Sequence, residues 1–265
     1  MTTLVVGGGA MGEALLAGWI ASGVPAAEIG VVEPSAARAA DLVARHGVRE
    51  ATIDDAASAE VVVLAVKPNT VPKVLDALRG PLAEGALVIS IAAGVPLAVL
   101  EGGLPGVAVV RVMPNTPALV GKGMAGVVPG AAATPAQVDR AVGLMEAVGK
   151  AVVIGEHQLD ALTALSGSGP AYLFYVAEAM IEAGVHQGLT RDEATALVNQ
   201  TFVGSAALLA ESGRSATQLR EMVTSPAGTT AAALRALDDA GVRSGFLAAV
   251  QACHDRSAEM STAAH

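Results

Sequence analysis

The fold is decided by residues 3–12, which read TLVVGGGAMG. A short β-branched run leads directly into closely spaced glycines and then into an Ala-rich stretch. A strand, a GxGxxG turn and a helix in this order are typical of the first unit of a dinucleotide-binding fold. Gly7 would permit the tight turn, Gly9 would let the backbone approach a pyrophosphate, and Gly12 would let helix and strand pack closely. We therefore predict that the nucleotide is held by Gly7, Gly9, Ala10, Met11 and Gly12.

Short β-branched runs alternate with Ala-rich helical stretches through about residue 155. The runs are Leu4–Val6, Ile29–Val32, Val61–Val66, Leu87–Ile91, Val107–Val112, Ala125–Val128 and Val152–Ile154. This alternation predicts a Rossmann-like, doubly wound α/β domain over residues 1–155, with a parallel sheet covered by helices on both faces. The β-branched runs then stop, and the sequence predicts an all-helical domain over residues 156–265.

The helical half carries clear helix boundaries and an excess of apolar surface. Thr190 with Glu193, and Ser215 with Gln218, have the spacing of capping boxes. Its helices are apolar on more than one face and have few charges to cover them. The apolar positions are Phe174, Met180, Ile181, Leu197, Val198, Phe202, Leu208, Leu209, Phe246, Leu247 and Val250. A compact bundle packed on the first domain is one explanation, but we expect much of this surface to be buried against a second copy of the chain.

An acidic residue follows the second predicted strand. Glu33 lies 21 residues after Gly12, where a carboxylate can accept hydrogen bonds from both ribose hydroxyls of NAD and would repel a 2′-phosphate. Ser35 and Arg38 follow immediately and could donate to a 2′-phosphate if Glu33 turns away. We predict that Glu33 and Ser35 contact the cofactor, while the sequence leaves the choice between NADH and NADPH open.

Two further strand ends carry polar residues. Lys67 follows the Val61 strand within the sequence AVKPN, and Asn115 follows the Val107 strand within RVMPNTPALV. Ligands of open α/β sheets bind beyond the carboxyl ends of the strands, so Lys67 and Asn115 should frame the nicotinamide end of the cofactor. The neighbouring prolines stiffen both turns. A solvated lysine and ordinary turn chemistry are the alternatives for these two residues.

In the helical half, the sequence SPAGTT over residues 225–230 precedes a predicted helix from Ala231 to Ala240. Ser225 and Thr230 supply hydroxyl groups, Gly228 lets the backbone expose its amides, and the helix start adds a partial positive charge. The stretch therefore predicts an anion-binding loop, the alternative being a loop that only starts a helix.

Composition excludes several classes of function. The chain has 265 residues, 52% of them hydrophobic, and a formal net charge of −9, so it offers no basic surface for nucleic acid. No stretch offers the roughly 20 clean apolar residues of a membrane span. One Cys and five scattered His residues predict no intrachain disulfide and no metal site. We expect a cytoplasmic protein.

Five segments together resemble the pyrroline-5-carboxylate reductase family. They are GGGAMGEAL (7–15), AVKPN (65–69), RVMPNTPALV (111–120), ALSGSGPAYLF (164–174) and LREMVTSPAGTTAAALRAL (219–237), of which the last is the most specific. The resemblance implies a Rossmann domain, a helical dimerisation domain, and reduction of 1-pyrroline-5-carboxylate to L-proline with NADPH or NADH. It also implies that the substrate is bound by Ser225, Gly228, Thr229 and Thr230, and that Lys67 and Asn115 lie on the cofactor side.

Two residues depart from the family pattern. Ala227 stands where the family loop commonly has Gly, and Glu33 stands where many NADPH-preferring members have Ser or Asn. The second departure again leaves the cofactor choice open.

The residues and the resemblance predict the same chemistry. A nucleotide on one domain and an anion-binding loop on the other suit a small carboxylate substrate with a reducible C=N bond, and Thr230 is the predicted catalytic residue. The protein would work as a homodimer or larger homo-oligomer. A β-hydroxyacid dehydrogenase is the nearest alternative, but it resembles a pattern with a catalytic Lys in the helical half, and this chain has no Lys after Lys150. A nucleotide-binding sensor or scaffold without turnover is the other alternative.

Overall fold

The computed structural model describes residues 2–263, so both extreme ends of the predicted domains lie outside the described residues. Contacts divide the chain into two compact units. The sheet unit contains the chain up to Ser168 together with the chain from Cys253 onward, and the helical unit is Gly169–Ala252. The predicted domain boundary between residues 155 and 156 stays a prediction.

The described residues of the sheet unit form one eight-stranded sheet of order β3-β2-β1-β4-β5-β6-β7-β8. Its strands are β1 (Thr3–Val6), β2 (Ile29–Val32), β3 (Arg49–Glu50), β4 (Val61–Leu64), β5 (Leu87–Ser90), β6 (Ala108–Met113), β7 (Gly123–Pro129) and β8 (Gly149–Val153). The α-helices before Ser168 are α1 (Ala10–Ala21), α2 (Ala36–His46), α3 (Val71–Leu78), α4 (Leu97–Gly103), α5 (Pro135–Glu146) and α6 (Leu159–Leu162), and the last part of the final helix of the chain also belongs to this unit. The predicted Rossmann-like α/β fold is confirmed.

Two details of the predicted sheet are wrong. The sheet is not wholly parallel, because β7 pairs antiparallel with β6, and β8 then pairs parallel with β7. The loop from β6 to β7 spans only residues 114–122, which is too short for the crossover that a parallel pair needs. The sequence reading also missed β3, which consists of only two exposed residues that pair with β2.

The core of the sheet unit has two layers, one on each face of the sheet. Successive strand residues alternate between them: Val5 and Val63 lie in one layer, and Leu4 and Leu64 lie in the other. The first layer is closed by helices α1, α2 and α5, and the second by α3 and α4. This period of two, buried on both faces, is what a doubly wound sheet requires.

Trp19 ties two of these helices together. Its side chain is almost fully buried in the first core layer, and its indole N–H donates to the carbonyl oxygen of Leu144 at 2.8 Å. Because Trp19 belongs to α1 and Leu144 to α5, this bond satisfies a polar atom inside an otherwise apolar layer.

The helical unit is built from α7 (Gly169–His186), α8 (Arg191–Glu211), α9 (Ala216–Met222), α10 (Thr229–Asp239) and the first part of α11 (Val242–Ala263). The capping boxes predicted at Thr190 and Ser215 are confirmed, since each hydroxyl accepts from the backbone N–H three residues on. Among the described helices, none combines the length and apolar character that a membrane span requires.

The helical unit leaves many large apolar side chains exposed. Phe174, Tyr175 and Leu247 are 69%, 75% and 75% exposed, and Leu197 is 58% exposed. The buried apolar side chains described for this unit are those of Ala194 and Val198. A single copy of the chain therefore provides little core for these helices.

Candidate active site

The parallel strands β1, β2 and β4 end side by side. Val6 pairs with Val32 on one side and with Leu64 on the other. Beyond the ends, Gly7 N–H donates to Val32 O at 2.9 Å, and Ala65 N–H donates to Val6 O at 2.8 Å. The carboxyl edge of the sheet therefore brings the Gly-rich loop (residues 7–12) next to the residues that follow β2 and β4.

Each glycine of the motif has a distinct backbone role. Gly7 has a φ of +108°, and a Cβ there would lie 2.5 Å from Ala65 O. A Cβ on Gly12 would lie 2.4 Å from Gly7 O, so this glycine lets α1 start against the strand. Gly9 is the N-cap of α1, and no atom lies within 4 Å of a Cβ built on it in the described structure. Gly9 and Ala10 are exposed and Met11 is half-buried, so backbone amides at the helix start are open to an anion.

Glu33 lies against this loop. One of its carboxylate oxygens accepts from Gly8 N–H at 2.8 Å and the other accepts from Ser35 N–H at 3.0 Å. The carboxylate is thus fixed between the Gly-rich loop and the start of α2. Two backbone donors occupy only part of a carboxylate's accepting capacity, which leaves Glu33 able to accept from ribose hydroxyl groups. The Ser35 hydroxyl caps α2 by accepting from Arg38 N–H at 3.4 Å.

Arg38 is engaged by acidic partners that the sequence reading did not identify. Its Nε donates to Gly8 O at 2.8 Å, Nη1 donates to Asp41 at 2.8 Å, and Nη2 donates to Glu13. Glu13 also contacts His46. Its hydrogen bond with His46, and to a smaller extent the one from Arg38, holds the pKa of the Glu13 carboxyl below its usual value. The acidic residue Glu13 in the first turn of α1 could be recognised from the sequence, but its pairing with Arg38 on α2 could not.

Lys67 and Asn115 lie at the ends of β4 and β6, as predicted. Lys67 is exposed and begins the turn Pro68–Thr70. Asn115 is half-buried, and both ends of its amide have protein partners: Nδ2 donates to Ser166 O at 3.0 Å, and Oδ1 accepts from Met124 N–H at 2.8 Å. Asn115 therefore fixes the β6–β7 loop, and its cofactor-side role stays a prediction.

The Ser225–Thr230 loop turns sharply before α10. Gly228 N–H donates to Ser225 O at 3.1 Å, with Pro226 and Ala227 at the corner. Ala227 has a φ of +57°, the left-handed conformation that favours glycine. A Cβ on Gly228 would lie 2.4 Å from the Ser225 hydroxyl oxygen, so a larger residue there would force that hydroxyl to move.

Gly228, rather than Thr230, is the N-cap of α10, and the helix begins at Thr229. The predicted start at Ala231 is two residues late. No side-chain cap hydrogen bond is made at this helix start in the described structure, so the first-turn amides of Thr229 and Thr230 have no side-chain acceptor there. The Ser225 hydroxyl oxygen lies beside the N-cap residue, 2.4 Å from the position of a Cβ on Gly228. Ser225 and Thr229 are exposed, and Thr230 is half-buried. The arrangement offers hydroxyl and amide donors to a small anion.

The described residues contain no group of three or more His, Cys, Asp or Glu side chains that could hold a metal ion. The sequence analysis did not predict an ion pair between the buried Arg111 and the partly exposed Glu156: Arg111 Nη1 lies 2.8 Å from Glu156 Oε1, which accepts from Leu97 N–H as well. A cation inside the β-branched run Val107–Val112 was the signal for such a pair.

Each half of the chain matches a family of known proteins. The family described as pyrroline-5-carboxylate reductase dimerisation matches residues 156–260, and NADP oxidoreductase coenzyme F420-dependent matches residues 3–94. A pyrroline-5-carboxylate reductase of Corynebacterium melassecola is 44% identical over 98% of this chain and 99% of its own.

Solved structures are similar over the same span. A pyrroline-5-carboxylate reductase from Coxiella burnetii has a TM-score of 0.94 and 37% identity, covering 98% of both chains. The Plasmodium falciparum pyrroline carboxylate reductase with NADP bound has a TM-score of 0.87 and 29% identity, also over 98% of both chains. A similarity that spans the nucleotide loop, the Ser225–Thr230 loop and the helices between them leaves one conclusion: this chain belongs to the pyrroline-5-carboxylate reductase family.

Proposed function

We propose that this protein reduces 1-pyrroline-5-carboxylate to L-proline with NADH or NADPH, the last step of proline biosynthesis. The observation that carries the proposal is the Ser225–Thr230 loop, whose hydroxyl and helix-start amides suit a small carboxylate. The loop lies in a chain that matches pyrroline-5-carboxylate reductases along its whole length.

The sheet unit fits a nicotinamide dinucleotide. The open backbone at Gly9 and the amides of Ala10 and Met11 suit the pyrophosphate, while the carboxylate of Glu33 suits a ribose. Lys67 and Asn115 belong to the strand ends that would flank the nicotinamide. When bound, the reduced nicotinamide supplies the hydride that the imine carbon accepts.

The helical unit supplies the groups that bind the substrate. The Ser225 hydroxyl and the first-turn amides of Thr229 and Thr230 hold the carboxylate of the imine, while Gly228, whose own N–H donates to Ser225 O, leaves room for that hydroxyl. Thr230 is the catalytic residue of the proposal: its hydroxyl hydrogen-bonds the ring nitrogen. The imine reacts as its N-protonated form, so hydride addition to the carbon moves the C=N electron pair onto nitrogen and yields a neutral secondary amine. Because the nitrogen gains this lone pair, to which the Thr230 hydroxyl donates, the contact strengthens in the transition state.

The exposed apolar helices favour a homodimer or larger homo-oligomer, and the match to a dimerisation family over residues 156–260 supports it. The location in the cytoplasm stays a prediction from the sequence.

The direct test is oxidation of NADH and NADPH by the purified protein with 1-pyrroline-5-carboxylate. Turnover that needs the imine supports the proposal. Oxidation of a 3-hydroxy acid with NAD(P)⁺, and no imine reduction, would instead identify a β-hydroxyacid dehydrogenase. Nucleotide binding without turnover of either substrate would identify a sensor.

Two substitutions separate binding from catalysis. A hydrogen bond to an anion contributes about 1.5–3 kcal/mol, so Ser225→Ala should raise the KM for the imine about ten- to a hundredfold and leave nucleotide KM unchanged. Thr230→Ala should also lower kcat, whereas Thr230→Ser should be nearly wild type. Ser215→Ala is the matched control, because it removes a helix cap from the same unit at a cost of about 1 kcal/mol and should spare both constants. A fully active Thr230→Ala enzyme would remove Thr230 from the mechanism.

A further inference from the structure

A cluster of charged side chains joins α1 to α2 beside the Gly-rich loop. Glu13 is its centre: one carboxylate oxygen contacts Arg45 Nη1 at 2.7 Å and His46 Nε2 at 2.8 Å, and the other accepts from Arg38 Nη2. Asp41 contacts both Arg38 and Arg45. We name these five residues the Glu13 cluster. The Glu13 carboxylate is 17% exposed and therefore largely shielded from solvent.

Arg38 is linked through Gly8 to Glu33, the residue predicted to bind the ribose. Its Nε donates to the carbonyl oxygen of Gly8, and the N–H of Gly8 donates to Glu33. The backbone of this one residue therefore holds both Arg38 and Glu33. An Arg in this region of a dinucleotide-binding fold is the group that accommodates a 2′-phosphate. Arg38 thus stands where NADPH would need it.

The Arg38 guanidinium, however, already donates hydrogen bonds to protein acceptors. At least three of its five N–H donors are used, by Gly8 O, Asp41 and Glu13. The local charges are also unfavourable, because Glu13, Asp41 and Glu33 place three carboxylates beside two guanidiniums. A 2′-phosphate would add about −1.5 to −2 further charges to this group.

We infer that Glu13 is a specificity-determining residue that keeps Arg38 from a 2′-phosphate, so that Glu13 together with Glu33 favours NADH over NADPH. Glu13 acts here as a positioning residue through Arg38, without contact to the nucleotide. This inference rests on the nucleotide site of the proposed function. Glu33 disfavours the phosphate by direct repulsion, and Glu13 removes the cation that would attract it.

The test is isothermal titration calorimetry, which measures the Kd values of NADH and NADPH for the whole protein in the absence of the imine. In Glu13→Gln, one carboxylate charge is lost, and the charge-assisted hydrogen bond that holds Arg38 becomes a weaker bond to a neutral amide oxygen. We expect the Kd for NADPH to fall about tenfold relative to the Kd for NADH. Glu33→Ser should change the same ratio in the same direction, and the two substitutions together should change it further.

The role of Arg38 is isolated by a second pair of variants. Arg38→Met should hardly change the ratio in the wild-type background, where the guanidinium is already occupied. In the Glu13→Gln background it should abolish the gain for NADPH. Glu60→Gln is the matched control, since Glu60 is also paired with an Arg but precedes β4 at the opposite edge of the sheet.

Each outcome decides a different statement. If both nucleotides bind and Glu13→Gln leaves their ratio unchanged, the inference about Glu13 is wrong while the proposed function stands. The inference is also wrong if Arg38→Met leaves the Glu13→Gln gain intact. If neither nucleotide binds the wild-type protein, the proposed function itself fails.

Discussion

The sheet unit and the helical unit bury their apolar side chains to very different extents. Both layers of the sheet unit are closed, and strand residues such as Val63 and Leu64 are fully buried. In the helical unit, Phe174, Leu197 and Leu247 each expose more than half of their surface. The sheet unit completes its core within one chain, whereas the helical unit presents the kind of surface that a second subunit covers.

The sharpest test of this difference places one charge on each unit at matched exposure. Leu197 in the helical unit and Leu119 in the sheet unit are both 58% exposed. Leu197→Glu should weaken subunit association about a hundredfold or more, since burying an unpaired carboxylate at an interface costs roughly 3 kcal/mol or more. Leu119→Glu should leave association unchanged, as measured by analytical ultracentrifugation over a concentration series.

The comparison fails if both variants, or neither, dissociate. A wild-type protein that sediments at nanomolar concentration as a folded, active monomer of 26.2 kDa would remove the argument for the interface altogether.

A second contrast concerns ion pairs. In the sheet unit, the side chain of Arg111 is 7% exposed and pairs with Glu156, whereas in the helical unit Arg243 and Asp238 are 71% and 60% exposed. Glu156→Ala leaves a buried guanidinium without its partner and should lower the free energy of unfolding by about 2–3 kcal/mol. Because Glu156 is partly exposed, the expected loss is smaller than the roughly 3–5 kcal/mol for breaking a fully buried pair.

The matched variant is Asp238→Ala, which should cost less than about 1 kcal/mol because exposed pairs contribute little. Urea unfolding followed by far-UV circular dichroism measures both. Equal losses in the two variants would show that burial does not distinguish these pairs.

The same contrast explains what the sequence could predict. Most strands of the sheet unit could be predicted, because burial on both faces requires continuous apolar runs such as VVVL in β4. The glycines at positions 7 and 12 could be predicted as well, because the backbone contacts at both positions leave no room for a Cβ. The direction of β7 was also available, since the loop before it is too short for a crossover. The strand β3 gave no signal, because two exposed polar residues have no apolar pattern.

The candidate site was less predictable than the fold. Glu33 and the Ser225–Thr230 loop could be found because each is local in sequence, at a strand end or a helix start. The Glu13–Arg38 and Asn115–Ser166 contacts could not, since they join positions 25 and 51 residues apart. The type of a side chain does not show which distant residue it will contact in the folded protein.

The smallest expected effect concerns backbone conformation in the two units. Positive φ angles in the sheet unit fall on glycines, and Ala227 in the helical unit is the non-glycine residue with positive φ among those described. Ala227→Gly should raise the free energy of unfolding by about 0.5–1 kcal/mol, because glycine adopts this conformation without steric cost. Ala240→Gly, at the other end of α10 and with a φ of −76°, should instead destabilise slightly. Thermal unfolding of both variants measures the sign, and a destabilised Ala227→Gly protein would contradict the argument.

The chain's single tryptophan makes one of the two units optically visible. Trp19 lies in the helix that starts at the Gly-rich loop, and its hydrogen bond to Leu144 holds the indole in a dry, fixed environment. Tryptophan emission from the whole molecule therefore reports on the sheet unit alone. A bound reduced nicotinamide would accept excitation energy from one donor at one position. Fluorescence could thus follow nucleotide binding and the unfolding of the sheet unit separately from unfolding of the helical unit.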